Sequence, residues 1–140
     1  MILLDTSVLS RVFRRKRPGP QERQLQAAFE SLMSSDIPIG LPGIVLQEVL
    51  SGLPSEKQFR ELQAKLLGAF TIVPAAVDDH VEAARLRNVC TSKGVNVSGI
   101  DCLIAACAIA GGHELFAIDV DFEAIRRHSA LKLLRVADVV

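Results

Sequence analysis

The 140-residue chain carries 16 basic and 16 acidic residues, and 49% of its residues are hydrophobic. The balanced charge gives no support for a broad nucleic-acid-binding surface, and the hydrophobic fraction argues against a disordered chain. Aromatic residues make up only 4%, without tryptophan or tyrosine, which argues against a base-stacking platform for single-stranded nucleic acid. We expect one compact domain spanning residues 1–140.

The first half of the sequence alternates short apolar runs with longer amphipathic stretches. The opening run "MILLD" does not alternate between apolar and polar residues, so it predicts a strand that is buried on both faces. The same reasoning predicts strands over 37–42 and 70–74. The intervening stretches predict helices over 7–16, 21–34, 43–50 and 54–67, with Pro54 in the first turn of the last one.

The second half continues the alternation of helices and strands. Asp78 or Asp79 is predicted to cap a helix that ends near Gly94. Ser98 opens an almost entirely apolar helix, which we expect to be deeply buried and to end at Gly111–Gly112. A strand over 115–119, a helix over 122–128 and a strand over 131–136 complete the chain. The fold class predicted is α/β, with a central parallel sheet of about five strands and helices on both faces.

The cysteines and the apolar runs limit where the protein resides. The odd set Cys90, Cys102 and Cys107 lacks any C-x-x-C spacing, so we expect core thiols and neither a disulfide framework nor a zinc site. An acid at position 5 argues against a signal peptide. The longest apolar stretch is too short to span a membrane. We therefore expect a soluble, cytoplasmic protein.

Several acids fall where ligands bind in such a fold. Ligands of open parallel sheets bind beyond the carboxyl ends of the strands. Asp5 follows the first predicted strand, Asp119 ends the strand over 115–119, and Asp121 follows two residues later. Asp101 stands at the start of the buried helix, and Glu48 shares a helix face with apolar neighbours, which keeps it at least partly covered. We expect these acids to converge on one rim.

Each acid also has a purely structural explanation. Asp5 stands where an aspartate caps a helix, and Asp101 completes the S-x-x-D pattern of a capping box with Ser98. Glu48 alone fits a solvated helix position. Asp119 and Asp121 fit turn positions. No single acid therefore decides the function.

Taken together, four segments resemble the PIN domain family, and in particular the VapC-type toxins of bacterial toxin–antitoxin pairs. The segments are "MILLDTSVL", "GIVLQEVL", "SGIDCLIAACAIAGG" and "LFAIDVDFEAI". They occur in the family's order and cover almost the whole chain. The resemblance places the family's four catalytic acids at Asp5, Glu48, Asp101 and Asp119, with Asp121 as an alternative or additional fourth acid and Thr6 at the usual hydroxyl position.

The resemblance implies a metal-dependent endoribonuclease. Clustered carboxylates repel one another unless they hold protons or a cation, and oxygen ligands alone select Mg²⁺, with Mn²⁺ as a substitute. Asp5, Asp101 and Asp119 are the expected metal ligands. Glu48 is expected to bind metal or to orient the attacking water. The family also implies an RNA substrate, a cognate antitoxin and a homodimer.

The basic run Arg14, Arg15, Lys16 and Arg17 has two interpretations. It fits a solvated helix end, and it equally fits a weak RNA-binding site made by Arg14, Arg15 and Arg17. The three histidines are scattered along the chain, which gives little support to a histidine-based ribonuclease.

Other functions remain open or are disfavoured. Ser7 stands where a haloacid-dehalogenase-type phosphatase needs a second aspartate, and the first strand lacks the G-x-G-x-x-G of a dinucleotide site. A phosphorelay receiver needs a late lysine that "FAIDVDF" does not supply. The alternatives that remain are a catalytically silent PIN-like binding module and another Mg²⁺-dependent α/β phosphoryl hydrolase.

Overall fold

The computed structural model describes residues 1–13 and 19–139, and within them five strands form one parallel sheet. The strands are β1 (Ile2–Leu4), β2 (Ile39–Pro42), β3 (Thr71–Val73), β4 (Glu114–Phe116) and β5 (Lys132–Leu134). Their order in the sheet is β3-β2-β1-β4-β5, and every neighbouring pair is parallel. The prediction of a parallel α/β sheet with about five strands is confirmed.

Eight helices flank the sheet in the part of the chain that the structure describes. They are α1 (Thr6–Val12), α2 (Pro20–Ser34), α3 (Gly43–Leu50), α4 (Glu56–Ala69), α5 (Val77–Ser92), α6 (Gly99–Gly111), α7 (Val120–Arg127) and α8 (Val136–Val139). None of these helices has both the length and the apolar character that crossing a bilayer requires.

The pairing register brings the carboxyl ends of three strands to one level. Leu4 of β1 pairs with Phe116 of β4, which in turn pairs with Leu134 of β5. The residues that follow these strands therefore meet at the same side of the sheet, here called the carboxyl edge. Ligands of open parallel sheets bind at this edge.

Helix α6 lies in the core, as its apolar sequence predicted. Six of its residues are buried, namely Cys102, Ile104, Ala105, Ala106, Cys107 and Ala108. The three cysteines are free and buried, as expected from their spacing. Alanine and cysteine are small, so neighbouring elements can approach α6 closely, and burial of this face holds Asp101 in its first turn in place.

The prediction of strand ends near the carboxyl edge was wrong by several residues. Strand β4 ends at Phe116, so Asp119 does not end the strand but precedes α7, which begins at Val120. Strand β5 ends at Leu134, and the unpredicted helix α8 follows. A carboxylate oxygen of Asp138 accepts a hydrogen bond from the backbone N of Arg135 (2.8 Å), which closes the first turn of α8.

Three helix boundaries also differ from prediction. Helix α4 begins after Ser55, whose Oγ accepts a hydrogen bond from Gln58 N (3.1 Å), so Pro54 lies outside the helix. Helix α5 begins after Ala76, and Asp79 acts from its first turn by accepting a hydrogen bond from Ala76 N (2.8 Å). Helix α1 ends at Val12 with Phe13 as its C-cap. The predicted continuation to residue 16 falls largely outside the described residues.

Substitutions at two glycines test the backbone, and we expect them to change the free energy of unfolding in opposite directions. Gly112 ends α6 with a φ of 66°, a left-handed conformation in which a side chain is strained. We expect Gly112→Ala to lower the free energy of unfolding by about 1 kcal/mol. Gly68 lies inside α4, where an added Cβ would meet no atom within 4 Å. Gly68→Ala should therefore raise stability by about 0.5–1 kcal/mol.

Urea unfolding of both variants checks this prediction. A Gly112→Ala protein as stable as wild type would contradict the left-handed C-cap of α6. Loss of stability in Gly68→Ala would contradict the open surroundings of Gly68.

Candidate metal centre

Asp5 joins β1 to α1 at the carboxyl edge. The residue is 3% exposed, and its Oδ2 accepts hydrogen bonds from Ser7 N (3.3 Å) and from the Ser7 hydroxyl. Asp5 therefore caps α1 while its carboxylate stays buried at the edge. Burial raises the pKa of Asp5, the bonds from Ser7 and Thr6 oppose the shift, and the charge of Asp119 adds to it.

Asp101 lies in the first turn of α6. Its backbone N donates to Oγ of Ser98 (3.0 Å), which is the expected N-cap bond. The reciprocal half of a capping box, from Ser98 N to the Asp101 carboxylate, is not formed among the described residues. The carboxylate instead faces other acids. Burial, followed by the charges of Asp5, Asp119 and Asp121, raises the pKa of Asp101 from 3.8 to about 6, although the Ser98 hydroxyl opposes the shift.

Asp119 and Asp121 lie at the start of α7. Oδ1 of Asp119 accepts a hydrogen bond from Asp121 N (2.9 Å), so Asp119 is the N-cap of this helix. Asp119 is exposed and Asp121 is half-buried. The turn brings both carboxylates to the same place, so Asp119 and Asp121 are neighbours in one site.

Three of these acids form a compact donor set. Asp101, Asp119 and Asp121 each offer one carboxylate oxygen, and the three oxygens lie within 4.8 Å of one another. Asp5 is outside this closest set, but it lies near enough for Asp101 and Asp119 to interact with its charge. We call these four acids the acidic cluster.

No cation balances the acidic cluster within residues 1–13 and 19–139. The ion pairs of this part of the chain involve other acids, and none reaches Asp5, Asp101, Asp119 or Asp121. Uncompensated carboxylates at such separations destabilise one another. The cluster therefore favours binding of either protons or a hard cation with oxygen ligands.

Glu48 and Thr6 lie beside the cluster. The Thr6 hydroxyl donates a hydrogen bond to Oε1 of Glu48 (2.7 Å), across 42 positions of sequence, and Thr6 directly follows Asp5. Glu48 is half-buried, as its helix face predicted. The bond fixes one carboxylate oxygen of Glu48 next to Asp5 and leaves the other oxygen without a partner among the described residues.

The structure brings the predicted acids together, but the three that lie closest to one another are not the three expected as metal ligands. Asp101 and Asp119 are joined in the closest set by Asp121, whereas Asp5 and Glu48 lie at its margin. Sequence reasoning missed Ser7 as the partner of Asp5, although the D-x-S spacing after a strand is a typical helix-cap signal. The predicted RNA contacts Arg14, Arg15 and Arg17 lie outside the described residues and stay predictions.

Comparison with known proteins identifies the family. Residues 2–128 match the PIN domain, which covers most of the chain and includes every acid of the cluster. The chain belongs to the PIN domain family. The resemblance seen in the four sequence motifs is therefore confirmed, and the fold that carries the acidic cluster is a PIN domain.

Solved structures share this fold over nearly their whole length. A chain of FitAcB from Neisseria gonorrhoeae has a TM-score of 0.76 at 22% identity, with 98% of this chain and 99% of that chain covered. A chain of VapBC2 from Rickettsia felis, bound to a DNA fragment from its promoter, has a TM-score of 0.74 at 21% identity, with 96% and 98% covered. VapC20 from Mycobacterium tuberculosis has a TM-score of 0.69 at 17% identity, with 89% and 94% covered.

Proposed function

We propose that this PIN domain is a Mg²⁺-dependent endoribonuclease and the toxin of a type II toxin–antitoxin pair. The observation that carries the proposal is the convergence of Asp101, Asp119 and Asp121 within 4.8 Å, with buried Asp5 adjacent and no described cation among them. An acidic cluster of this kind is costly unless it serves a bound ion.

The donor set fits a magnesium ion. Mg²⁺ binds oxygen at about 2.0–2.1 Å in an octahedron, so neighbouring ligands lie about 2.9 Å apart and opposite ligands about 4.2 Å apart. Oxygens that already lie within 4.8 Å of one another need only side-chain rotations to reach those separations. We assign Asp101, Asp119 and Asp121 as ligands, with Asp5 as a further ligand, directly or through water. Mn²⁺ has the same ligand preference and would substitute.

The divalent ion, when bound, would supply an activated water and charge stabilisation at the phosphoryl oxygens. The residues of the chain itself position the remaining groups. Glu48 is held through Oε1 by Thr6, so its other oxygen is available to orient the attacking water and to accept its proton. Asp5 is held by Ser7 and keeps its carboxylate at the edge of the sheet.

The partners are proposed from the structural relatives. VapBC-5 from Mycobacterium tuberculosis, which also shares this fold, is a member of the VapBC family of toxin–antitoxin systems, and VapC20 is a toxin that cleaves the sarcin–ricin loop. We infer an RNA substrate and a cognate antitoxin for this chain, which acts in the cytoplasm. A homodimer is part of the same proposal. The competing proposals are a catalytically silent binding module and a Mg²⁺-dependent hydrolase of another phosphate ester.

Cleavage of RNA by the purified protein tests the proposed function. We expect bulk cellular RNA to be cut at discrete positions in Mg²⁺ or Mn²⁺ and to stay intact in EDTA. Asp5→Asn should lose cleavage, since asparagine keeps an oxygen to accept the Ser7 hydrogen bonds but loses the charge. Mapping of the new RNA ends identifies the target.

The exposed loop residue Asp36 provides the control. Asp36→Asn removes the same charge away from the acidic cluster and should cleave like wild type. RNA that stays intact with wild-type protein in both metals would contradict the proposal in favour of the silent module. Cleavage that persists unchanged in Asp5→Asn and in EDTA would contradict the acidic site.

A further inference from the structure

An arginine lies at the same carboxyl edge as the acidic cluster. Arg135 directly follows β5, whose last residue Leu134 pairs with Phe116 of β4. Asp5 directly follows β1, whose last residue Leu4 pairs with the same Phe116 from the other side. Asp5 and Arg135 are therefore at one level, two strands apart, which corresponds to about 10 Å between their backbones.

Glu123 of α7 holds Arg135 and Arg126 together. Oε1 of Glu123 is 2.5 Å from Nε of Arg135, and Oε2 is 3.1 Å from Nε of Arg126. Glu123 follows the N-cap Asp119 by four residues, which is about one helical turn or 6 Å along the axis. The pair is thus tied to the helix that carries Asp119 and Asp121.

The arginines remain able to bind another group. Each contacts Glu123 through its Nε, and within residues 1–13 and 19–139 no hydrogen bond is formed by their terminal Nη groups. A guanidinium has five N–H donors, so most of its donors are unused. The side chains of Arg135 and Arg126 are 50% and 40% exposed, whereas Glu123 is 30% exposed. The two guanidinium groups together with Glu123 leave a net charge of +1.

The backbone of Arg135 is fixed as well. Its N–H donates to the carboxylate of Asp138 (2.8 Å), and its carbonyl accepts from Asp138 N (3.0 Å). An arginine held at both its backbone and its guanidinium loses less side-chain entropy on binding than a free surface arginine. This distinguishes the pair from an ordinary exposed charge.

We propose that Arg126 and Arg135, positioned by Glu123, form a subsite for a backbone phosphate of the RNA next to the phosphate that is cleaved. The inference rests on the proposed nuclease function. It explains how RNA, which is a polyanion, can be held beside a cluster of carboxylates. Four carboxylates repel RNA, and cations held next to them by Glu123 attract it before and during cleavage. Bidentate guanidinium contacts suit phosphate oxygens.

RNA binding by charge-removing variants tests the subsite. The probe is a fluorescein-labelled RNA hairpin of mixed sequence, measured by anisotropy in Mg²⁺ over a range of salt concentrations. Asp101→Asn is the background because it is expected not to cut the probe. We expect Arg135→Ala and Arg126→Ala each to weaken binding about 5- to 10-fold and to reduce the salt slope by about 1. Arg135→Lys should retain part of the affinity.

Arg85→Ala is the matched control. Arg85 also pairs through Nε with a glutamate three residues earlier, Glu82 (3.3 Å), but it lies beside the later part of α6 near Ala106 and Ile109. It should bind RNA like the background protein. Arg135→Ala or Arg126→Ala proteins that bind with unchanged affinity and salt slope, and unfold like wild type, would overturn the subsite.

The subsite and the nuclease proposal can fail separately. If wild-type protein cuts RNA and Arg135→Ala cuts it with the same kcat/KM, the subsite is wrong and the nuclease stands. If the wild-type protein cuts no RNA, but Arg135→Ala weakens RNA binding and Arg85→Ala does not, the subsite stands and the nuclease proposal is wrong.

Glu123→Gln separates positioning from charge. The substitution keeps both arginines but removes the carboxylate that holds them. A diffuse basic patch would bind RNA more tightly after the loss of a negative charge, and cleavage would not slow. We expect kcat to fall several-fold without loss of affinity, because the arginines no longer hold the phosphate in one place. An unchanged or higher kcat would contradict the positioning role.

Discussion

Replacing Asp101 by asparagine will lower metal-dependent RNA cleavage by at least about 100-fold and will also stabilise the metal-free protein. Substitutions that only reorient a metal ligand cost about 10- to 100-fold in metal affinity or activity, so loss of a ligand should cost more. Asparagine retains the size of aspartate and the backbone N–H that donates to Ser98. The loss of activity therefore reflects the loss of the charge and of the metal ligand, and not a change in the fold of α6.

The gain in stability follows from the surroundings of Asp101. Its carboxylate is partly buried and faces Asp5, Asp119 and Asp121, and these effects outweigh the helix N-terminus and the Ser98 hydroxyl, which favour its charge. Removal of the charge should raise the free energy of unfolding by about 1–2 kcal/mol near pH 7 without metal. Kinetics in Mg²⁺ and urea unfolding in EDTA measure the two effects.

Asp78→Asn is the control for both measurements. Asp78 also lies in the first turn of a helix, α5, but it is exposed and outside the acidic cluster. Its loss should leave cleavage unchanged and lower stability by less than about 1 kcal/mol. If Asp101→Asn behaves like Asp78→Asn, Asp101 serves only the helix and the metal centre is wrong.

The sheet and the buried helix could be predicted because their sequences are nearly unbroken apolar runs. A run does not reveal where strand pairing stops, however. "LFAID" is apolar up to Asp119, but pairing of β4 ends at Phe116, and Ala117 and Ile118 lead into the cap of α7. Helix α8 was missed because it depends on a short-range bond between Asp138 and Arg135, inside a stretch that also fits a strand.

The acids could be found because their spacing matches a family, but their dual roles could not be read from the sequence. The sequence offers a helix cap for Asp5 and a turn position for Asp119 as alternatives to metal binding. In the structure, one oxygen of each accepts the capping bond while the carboxylate still lies in or beside the acidic cluster. The two explanations are compatible because a carboxylate has two oxygens.

The arginine pair could not be predicted, since it depends on the register of distant strands. Arg135 and Asp5 are 130 positions apart, and only the pairing of Leu4 and Leu134 with Phe116 puts them at one level. The spacing of Glu123 and Arg126 indicates an ordinary helical ion pair. Nothing local shows that a second arginine joins it.

The stability of the metal-free protein will depend on pH through Asp101, and Mg²⁺ will reverse that dependence. The pKa of Asp101 is about 6 in the folded chain, above its ordinary 3.8. The folded state therefore holds the proton more tightly than the unfolded state. The stability that this protonated carboxyl group contributes is complete below about pH 3.8, declines as pH rises, and is lost above about pH 6. The raised pKa of Asp5 acts in the same direction.

The difference between wild type and Asp101→Asn isolates the titration of the acidic cluster, because carboxylates outside the cluster titrate alike in both proteins. In EDTA the two should be nearly equal in stability at pH 4, and the variant should become more stable by about 1–2 kcal/mol at pH 7. Urea unfolding at a series of pH values measures the difference. A difference that stays constant with pH would show that Asp101 does not have the raised pKa that its burial and its acidic neighbours give it.

Mg²⁺ should stabilise wild type most where Asp101 is ionised. A ligand that binds only the folded state adds RT ln(1 + [L]/Kd), and protons compete for the same carboxylates, so the gain should be large at pH 7.5 and small at pH 5. At a concentration 100 times Kd the gain is about 2.7 kcal/mol. Asp101→Asn should lose most of this gain, whereas Asp78→Asn should retain it. Equal stabilisation of wild type and Asp101→Asn by Mg²⁺ would place the ion elsewhere, since no other change separates these two proteins.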